Sequence, residues 1–289
     1  MKTYFQAKQR LFSDLIWKTN KRTPFAIINT DDAWGARLRV SSKAGLWSYG
    51  MGATADFRFE ILDVGFSYTS IQLFSPFGVF KSVIPMCGTH NVYNVVAVIA
   101  ALASRGIYPE LSLHALRSFP GVPGRLQSVP NEKDRHVFVD YAHSPDALEN
   151  VLKSLQRVRA EMQKNNLGSK RSANIITIFG CGGDRDKGKR PLMATMAEKY
   201  SDYVVVTSDN PRSEDPGAII SDILDGFSIE FRKKVIVEVD RAKGIQHGID
   251  ISEAGDVILI AGKGHEDYQI IGTEKRLFSD WSCAKELLR

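Results

Sequence analysis

The sequence predicts an α/β protein in two parts, the second built on a mainly parallel sheet. Three observations carry that prediction. From about residue 135 onward, short β-branched runs alternate with amphipathic stretches. Four of those runs end directly in polar or glycine-rich clusters. Residues 119–123 (FPGVP) break the pattern with prolines and a glycine, the composition of a hinge or linker.

In the first part, residues 1–18 read as a helix. Strand-like runs follow at 25–29, 57–62, 68–74 and 79–84, and a second helix at 90–105, rich in Ala and Val, reads as buried. In the second part the strands are expected at 137–139, 175–179, 203–206, 235–239 and 257–260, with helices between them at 145–161, 191–200, 216–227 and 241–253. That βαβα order implies right-handed crossovers between parallel strands. Pro145, Pro191 and Pro216 are read as helix openers, a position where the missing N–H costs nothing. The expected division is therefore 1–121 and 122–289.

At 289 residues the chain can bury two cores, and its 43% hydrophobic fraction is ordinary for a globular protein. No run is long and apolar enough to span a bilayer. The opening MKTYFQAKQRLF lacks the features of a signal peptide, so a cytoplasmic location is expected, without a membrane partner. Cys87, Cys181 and Cys283 are odd in number and widely spaced, which argues against a disulfide framework or a zinc site. The net charge is +5 and the pI about 9.0, but the basic residues form no stripe interleaved with aromatics. Small anionic substrates are thus expected rather than nucleic acid, with 164–171 a solvated loop and 232–234 a solvated turn.

The unusual residues gather at strand ends. In open α/β sheets ligands bind at the carboxyl ends of strands, so 140–143 (DYAH), 180–185 (GCGGDR), 208–212 (SDNPR) and 261–266 (AGKGHE) are expected to line one crevice. Within 208–212, Asp209 is an acceptor, Asn210 both donor and acceptor, and Arg212 a planar fork suited to a carboxylate or phosphate. Alone, the same segment could be an ordinary surface turn.

Residues 183–190 (GDRDKGKR) have the glycine, four residues and Gly-Lys of a phosphate-binding P-loop, but Arg190 stands where Ser or Thr must hold Mg²⁺. The segment is read instead as an anion-contacting loop at a helix start. Residues 88–94 (GTHNVYN) follow a strand and open the Ala-rich helix. Asn91 and Asn94, three apart, are expected on one side of its first turn, either as caps or as a ligand-facing pair. Lys8 falls on the stripe of Tyr4, Leu11, Phe12 and Leu15. It either snorkels to water or, partly buried, presents a neutral amine that CO₂ can convert into a carbamate, an anionic ligand for Mg²⁺.

Three segments, GTHNVYN, GVPGR at 121–125 and VDYAHSPDAL at 139–148, resemble in spacing and order the signature blocks of the Mur ligase family. These are ATP-dependent amide ligases that build the peptidoglycan stem peptide. GCGGDRDKGKRPLM, DNPR and AGKGHEDYQ are similar to the branch that adds meso-2,6-diaminopimelate, and the resemblance covers essentially the whole chain. It implies the C-terminal portion of a central ATPase-type α/β domain, followed by a Rossmann-like amino-acid-binding domain. The implied reaction is phosphoryl transfer from ATP, with Mg²⁺, to the γ-carboxylate of a UDP-N-acetylmuramoyl-dipeptide, then attack of the amine on the acyl phosphate.

Carried over residue by residue, the resemblance makes Lys8 the candidate carbamylated, metal-holding lysine. His90, Asn91, Asn94, Arg125 and Asp140 become ATP-site residues. Arg185, Asp209, Asn210, Pro211, Arg212, Gly262 and Glu266 become the diaminopimelate pocket. Diaminopimelate is lysine with an extra carboxylate, and Arg212 offers that carboxylate a bidentate partner, while Glu266 suits an ammonium. A desolvated arginine left unpaired costs on the order of a few kcal/mol, enough to disfavour lysine.

The family's UDP-binding first domain and its P-loop have no counterpart in these residues. The chain is therefore expected to correspond to roughly the last three-fifths of such an enzyme, and to lack turnover alone. A lysine-adding homologue and a non-catalytic amino-acid-binding module are the alternatives. Folate polyglutamate ligase shares the architecture, but DNPR and GKGHED do not resemble its acceptor pocket.

Overall fold

The computed structural model describes residues 2–18, 23–165 and 172–289, and the chain divides between Pro120 and Gly121 into two units. In the first unit, α1 (Lys2–Arg10) continues into one π-helical turn, Leu11–Leu15. The stripe expected there does not form a core. Tyr4, Leu11 and Leu15 are exposed, and nothing in the π turn is buried.

Five strands follow: β1 (Phe25–Asn29), β2 (Gly45–Gly50), β3 (Phe57–Val64), β4 (Thr69–Ser75) and β5 (Gly78–Ile84), in spatial order β1-β2-β3-β4-β5. The first three pair in parallel and the last three are antiparallel. β2 was not expected from the sequence, because the glycines at both ends read as turn signals. Its Trp47 and Tyr49 pack against the core. Helix α2 (Thr89–Ala103) lays Val92, Val95, Val96 and Ile99 on Phe57, Phe59, Ile71, Leu73 and Ile84. The helical spacing of those four residues and the period-2 alternation of the strands produce one shared core. A further short helix, α3 (Pro109–Leu116), starts on its proline.

The second unit opens with β6 (Gln127–Ser128) and β7 (His136–Asp140), then α4 (Pro145–Asn165), β8 (Ile175–Phe179), α5 (Lys189–Tyr200), β9 (Tyr203–Val206) and α6 (Pro216–Leu224). The remainder is β10 (Val235–Val237), α7 (Arg241–Asp250), β11 (Val257–Ala261), a hairpin of β12 (Tyr268–Ile271) and β13 (Glu274–Leu277), and α8 (Asp280–Leu287). The main sheet runs β10-β9-β8-β11-β7-β6, parallel throughout except for the antiparallel edge strand β6.

Every residue of β8 and β11 is buried, as a parallel sheet covered on both faces requires. Ile245 and Ile249 of α7, with Ala284 of α8 and the adjoining Leu288, pack on Val139, Ile176, Ile178, Val205, Ile258 and Ile260. Helices α4, α5 and α6, packed on one another, form the other layer. Pro145 and Pro216 open their helices as expected, but α5 begins two residues before Pro191. The proline still lies in the first turn, where backbone N–H groups have no intrahelical acceptor. Residues 232–234 form an exposed 3₁₀ turn. Lys164 pairs with Glu161 within α4, while 166–171 of the expected solvated loop lie outside the described residues. Among the described residues no helix is long and apolar enough to cross a membrane.

Candidate functional site

β9, β8, β11 and β7 lie side by side and point the same way, so the loops that follow them emerge along one edge of the sheet. The four sequence clusters therefore lie along one edge of the sheet in the second unit. Its loops are stitched together. Gly183 N donates to Asn210 O at 2.9 Å, Gly262 N to Asp140 O at 3.1 Å, and Lys189 Nζ to His143 O at 2.8 Å. Tyr141 stands between the rings of His143 (4.7 Å) and His265 (5.4 Å), with the Arg125 guanidinium 5.2 Å from its centroid.

Asp209, Asn210, Lys263 and Glu266 occupy the centre. Lys263 is fully buried. Its Nζ donates to Asn210 Oδ1 (3.2 Å) and Glu266 Oε2 (3.4 Å) and lies 3.6 Å from Asp209 Oδ1. Asn210 Nδ2 also donates to Glu266 Oε2, at 2.9 Å. Burial pushes the Asp209 carboxyl upward, while Arg241 and Lys263 pull it back, and its Oδ1 has no hydrogen-bond partner. Behind this cluster Arg241 forms a bidentate pair with Asp280, and its guanidinium also donates to the carbonyls of Ser208 (3.2 Å) and Ala261 (3.0 Å). Those two residues immediately precede Asp209 and Gly262.

Arg212 sits at the rim, half-buried, in the left-handed region at φ 52°. Two backbone bonds hold it there: Arg212 N donates to Ile270 O (3.1 Å) and Gly272 N to Arg212 O (2.8 Å), so the residue prolongs the β12–β13 hairpin. Its Nη1 donates to Gly183 O at 2.7 Å. Pro211 is buried beside it, and Arg185 is exposed and, among the described residues, donates only to the neighbouring Asp184 carbonyl (3.1 Å). Gly262 has φ 115°, a conformation L side chains rarely adopt, and a Cβ there would lie 3.5 Å from Asp209 Oδ2.

The loop at 183–190 differs from expectation. Arg190 is fully buried and pairs with Glu214 (2.9 Å) and Asp222 (2.8 Å), and Lys187 also reaches Glu214 (3.2 Å). Arg190 holds the Glu214 carboxyl down to about 2. Arg190 is thus consumed inside the protein while Lys187 pairs at the surface, and of the arginines here Arg185 is the one turned to solvent.

Asp140 is buried and accepts from Leu126 N (2.7 Å) and Ala142 N (2.8 Å). Burial raises its carboxyl, and the two backbone bonds and Arg125 oppose that. It thereby fastens the turn carrying Arg125. In the first unit Asn91 and Asn94 do not act as a pair. Asn91 is buried and donates to Cys87 O at 2.8 Å, whereas Asn94 is exposed; His90 beside them is half-buried. A three-residue step on a helix turns by about 60° short of a full circle, enough to separate a core-facing position from a solvent-facing one.

Lys8 is exposed, which fits the snorkelling alternative rather than partial burial. It lines a cavity of about 420 Å³ with Tyr4, Phe5, Phe12, Asp32 and Trp34, its Nζ 5.3 Å from the Tyr4 ring centroid. Among the described residues no three His, Cys, Asp or Glu side chains gather to hold a metal. Mg²⁺ takes about six oxygen ligands, so Lys8 and Asp32 do not by themselves make its site.

Sequence reading placed Lys263 in the 261–266 cluster without giving it a role, and missed Arg241 and Asp280. The one available signal for Lys263 was its place between two glycines directly after a strand.

This arrangement is an α/β domain with a polar cluster at the carboxyl ends of its parallel strands. The chain belongs to the Mur ligase family: the Mur ligase middle domain matches residues 1–102 and the Mur ligase glutamate ligase domain matches 124–264. Among curated relatives, the UDP-N-acetylmuramoyl-L-alanyl-D-glutamate–2,6-diaminopimelate ligase of Geobacter sulfurreducens is 42% identical over 97% of this chain and 56% of its own length. The ligase of the same name from Clostridioides difficile is 41% identical over 100% and 56%. A solved structure of a ligase of that name superposes with a TM-score of 0.64 at 33% identity, covering 99% of this chain and 56% of the other. The chain thus spans little more than half the length of the relatives it matches.

Proposed function

We propose that this chain provides the amino-acid pocket, and part of the ATP site, of the ligase that joins meso-2,6-diaminopimelate to UDP-N-acetylmuramoyl-L-alanyl-D-glutamate in peptidoglycan precursor synthesis. The observation that carries the reading is the convergence of Asp209, Asn210, Arg212 and Glu266 after β9 and β11, the strands on either side of β8, in a chain 42% identical to a relative of that name.

The pocket has the polarity a zwitterion needs. Arg212 uses Nη1 on backbone carbonyls, while Nε and Nη2 have no partner among the described residues and suit a carboxylate. Glu266 uses Oε2 on Lys263 and Asn210, leaving Oε1 to accept from an ammonium. Arg185, exposed next to Arg212's loop, is a second cation for the amino acid's other carboxylate. Held at both ends, the amino acid presents its amine in a fixed position, and orientation of this kind is worth several orders of magnitude in rate.

ATP, with Mg²⁺, supplies the phosphoryl group that activates the acyl partner. Toward it the second unit offers Arg125, on a turn fastened by Asp140 and 5.2 Å from the Tyr141 ring centroid; the first unit carries His90, Asn91 and Asn94 as candidates by resemblance, Asn91 already donating to Cys87 O. Lys8 is the proposed carbamate on the family resemblance alone, since the side chain is exposed. A reaction that consumes ATP and a nucleotide-linked precursor places the protein in the cytoplasm.

Calorimetry of the 289-residue chain with meso-diaminopimelate and with L-lysine tests the reading. Preferential binding of diaminopimelate is expected. Equal affinity would assign the pocket to a lysine-adding ligase. Residues 1–289 contain no P-loop, so no ADP is expected from the chain mixed with ATP and the UDP-dipeptide; ADP release would overturn that part.

A further inference from the structure

We propose that Lys263 is a positioning residue of the amino-acid pocket: it fixes the Asn210 amide and turns a single oxygen of Glu266, Oε1, toward the incoming ammonium. The inference rests on the pocket assignment above and adds a residue to it.

The argument is one of counting donors and acceptors. An ammonium has three N–H groups and no acceptor. Around Lys263 Nζ stand three acceptors: Asn210 Oδ1 at 3.2 Å, Glu266 Oε2 at 3.4 Å and Asp209 Oδ1 at 3.6 Å. The side chain is fully buried, so nothing remains of it for a ligand. Lys263 therefore acts through its neighbours.

Asn210 shows how. Its Oδ1 accepts from Lys263 Nζ and from Ile270 N (2.9 Å), which occupies both lone pairs. With the oxygen pinned on that side, the NH₂ must face Glu266, and it donates to Oε2 at 2.9 Å. Turned over, the amide would put its NH₂ against an ammonium and a backbone N–H, donor against donor. Glu266 Oε2 thus receives two bonds, from Asn210 and Lys263, and the carboxylate cannot rotate without losing both. Its Oε1 is the oxygen left to face the crevice.

Lys263 also balances charge. It is the near cation between Asp209 and Glu266, and without it two carboxylates would share the centre of the pocket, with Arg241 as the remaining close cation on the buried side. A buried pair of like charges disfavours double ionisation. Loss of Lys263 therefore removes the orientation and the charge that the ammonium meets.

The test compares the wild-type chain with Lys263→Met and Lys263→Gln, using two readouts. Without ligand, amide hydrogen exchange at Ile270 reports the lock directly, because its N–H donates to the pinned Asn210 oxygen. Exchange there should accelerate by about tenfold or more in Lys263→Met, with Ile260 in the sheet unchanged. Lys263→Gln, which keeps two N–H donors, should recover part of the protection. With meso-diaminopimelate, calorimetry should give an affinity weaker by about tenfold or more in Lys263→Met. Unchanged exchange at Ile270, or acceleration spread equally over Ile260 as a general loss of packing would give, overturns the inference. So does diaminopimelate affinity within about twofold of wild type. A wild-type chain that binds no diaminopimelate sinks the pocket assignment instead, and the Ile270 comparison distinguishes the two failures.

Discussion

Arg241 and Asp280, at the first turns of α7 and α8, form a bidentate ion pair with both side chains fully buried and both N–O distances at 2.7 Å. The remaining guanidinium donors reach the carbonyls of Ser208 and Ala261, so one side chain ties two helices to the ends of two strands. A buried pair of this kind contributes little net stability compared with apolar residues of equal volume, but breaking it leaves an uncompensated charge. Asp280→Ala should therefore destabilise the second unit by about 3–5 kcal/mol, measured by urea unfolding. Arg241→Met combined with Asp280→Leu should cost less than Asp280→Ala alone; an equal or larger loss would mean that the pair is itself a main source of stability.

Arg212 predicts selectivity. Its free Nε and Nη2 edge matches the carboxylate that distinguishes diaminopimelate from lysine. Hydrogen bonds to a charged partner are worth about 1.5–3 kcal/mol, so Arg212→Ala should weaken diaminopimelate binding roughly 10- to 100-fold. The affinity for L-lysine should change little. Parallel losses for both ligands in calorimetry would indicate that the substitution merely releases the β12–β13 hairpin, to which Arg212 is bonded through Ile270 and Gly272.

The strand ends that build this site were legible because composition and period carry them. The β-branched runs of β8, β9 and β11 and the glycines and prolines after them are local signals. Lys263 was not legible for the opposite reason. A lysine in a glycine-rich loop reads as solvated, and its burial depends on Asp209 and Asn210, which lie in another loop. Arg241 and Asp280 likewise acquire meaning only when α7 and α8 pack together. The Asn91–Asn94 pair failed on geometry, since a shared face was inferred where the helix places one residue against the core and the other in solvent. For β2, glycines at the strand ends concealed an interior whose Trp47 and Tyr49 belong to the core.

Glu214 sets an acid limit on the loop beside the site. Its carboxyl is held at about 2, against an ordinary 4.5, first by Arg190 and then by the Asp184 backbone N–H. A depressed carboxyl contributes stability that is fully present above its unfolded value and is lost as pH falls through its folded value. The contribution should thus be intact above about pH 5 and disappear between about pH 4.5 and 2. Denaturant unfolding across that range should show a steeper acid loss in the wild type than in Glu214→Gln. Identical slopes would show that Glu214 is not depressed in the folded protein.

Gly183 sits where a side chain has no room. A Cβ placed there would lie 1.9 Å from the Pro211 carbonyl oxygen and 2.8 Å from its carbon. Both are backbone atoms, so no side-chain rotation relieves the overlap, and the loops after β8 and β9 must separate. Separation would break the bonds from Gly183 N to Asn210 O and from Arg212 Nη1 to Gly183 O. Gly188 in the same loop is the control, since its nearest neighbour would be the flexible Asp186 carboxylate at 3.2 Å. Gly183→Ala should weaken diaminopimelate affinity by about tenfold or more and lower the melting temperature by a few degrees, on the order of 1 kcal/mol or more of destabilisation. Gly188→Ala should leave both close to wild type. Normal binding by Gly183→Ala in calorimetry would show that the two loops need not be held together for the pocket to form.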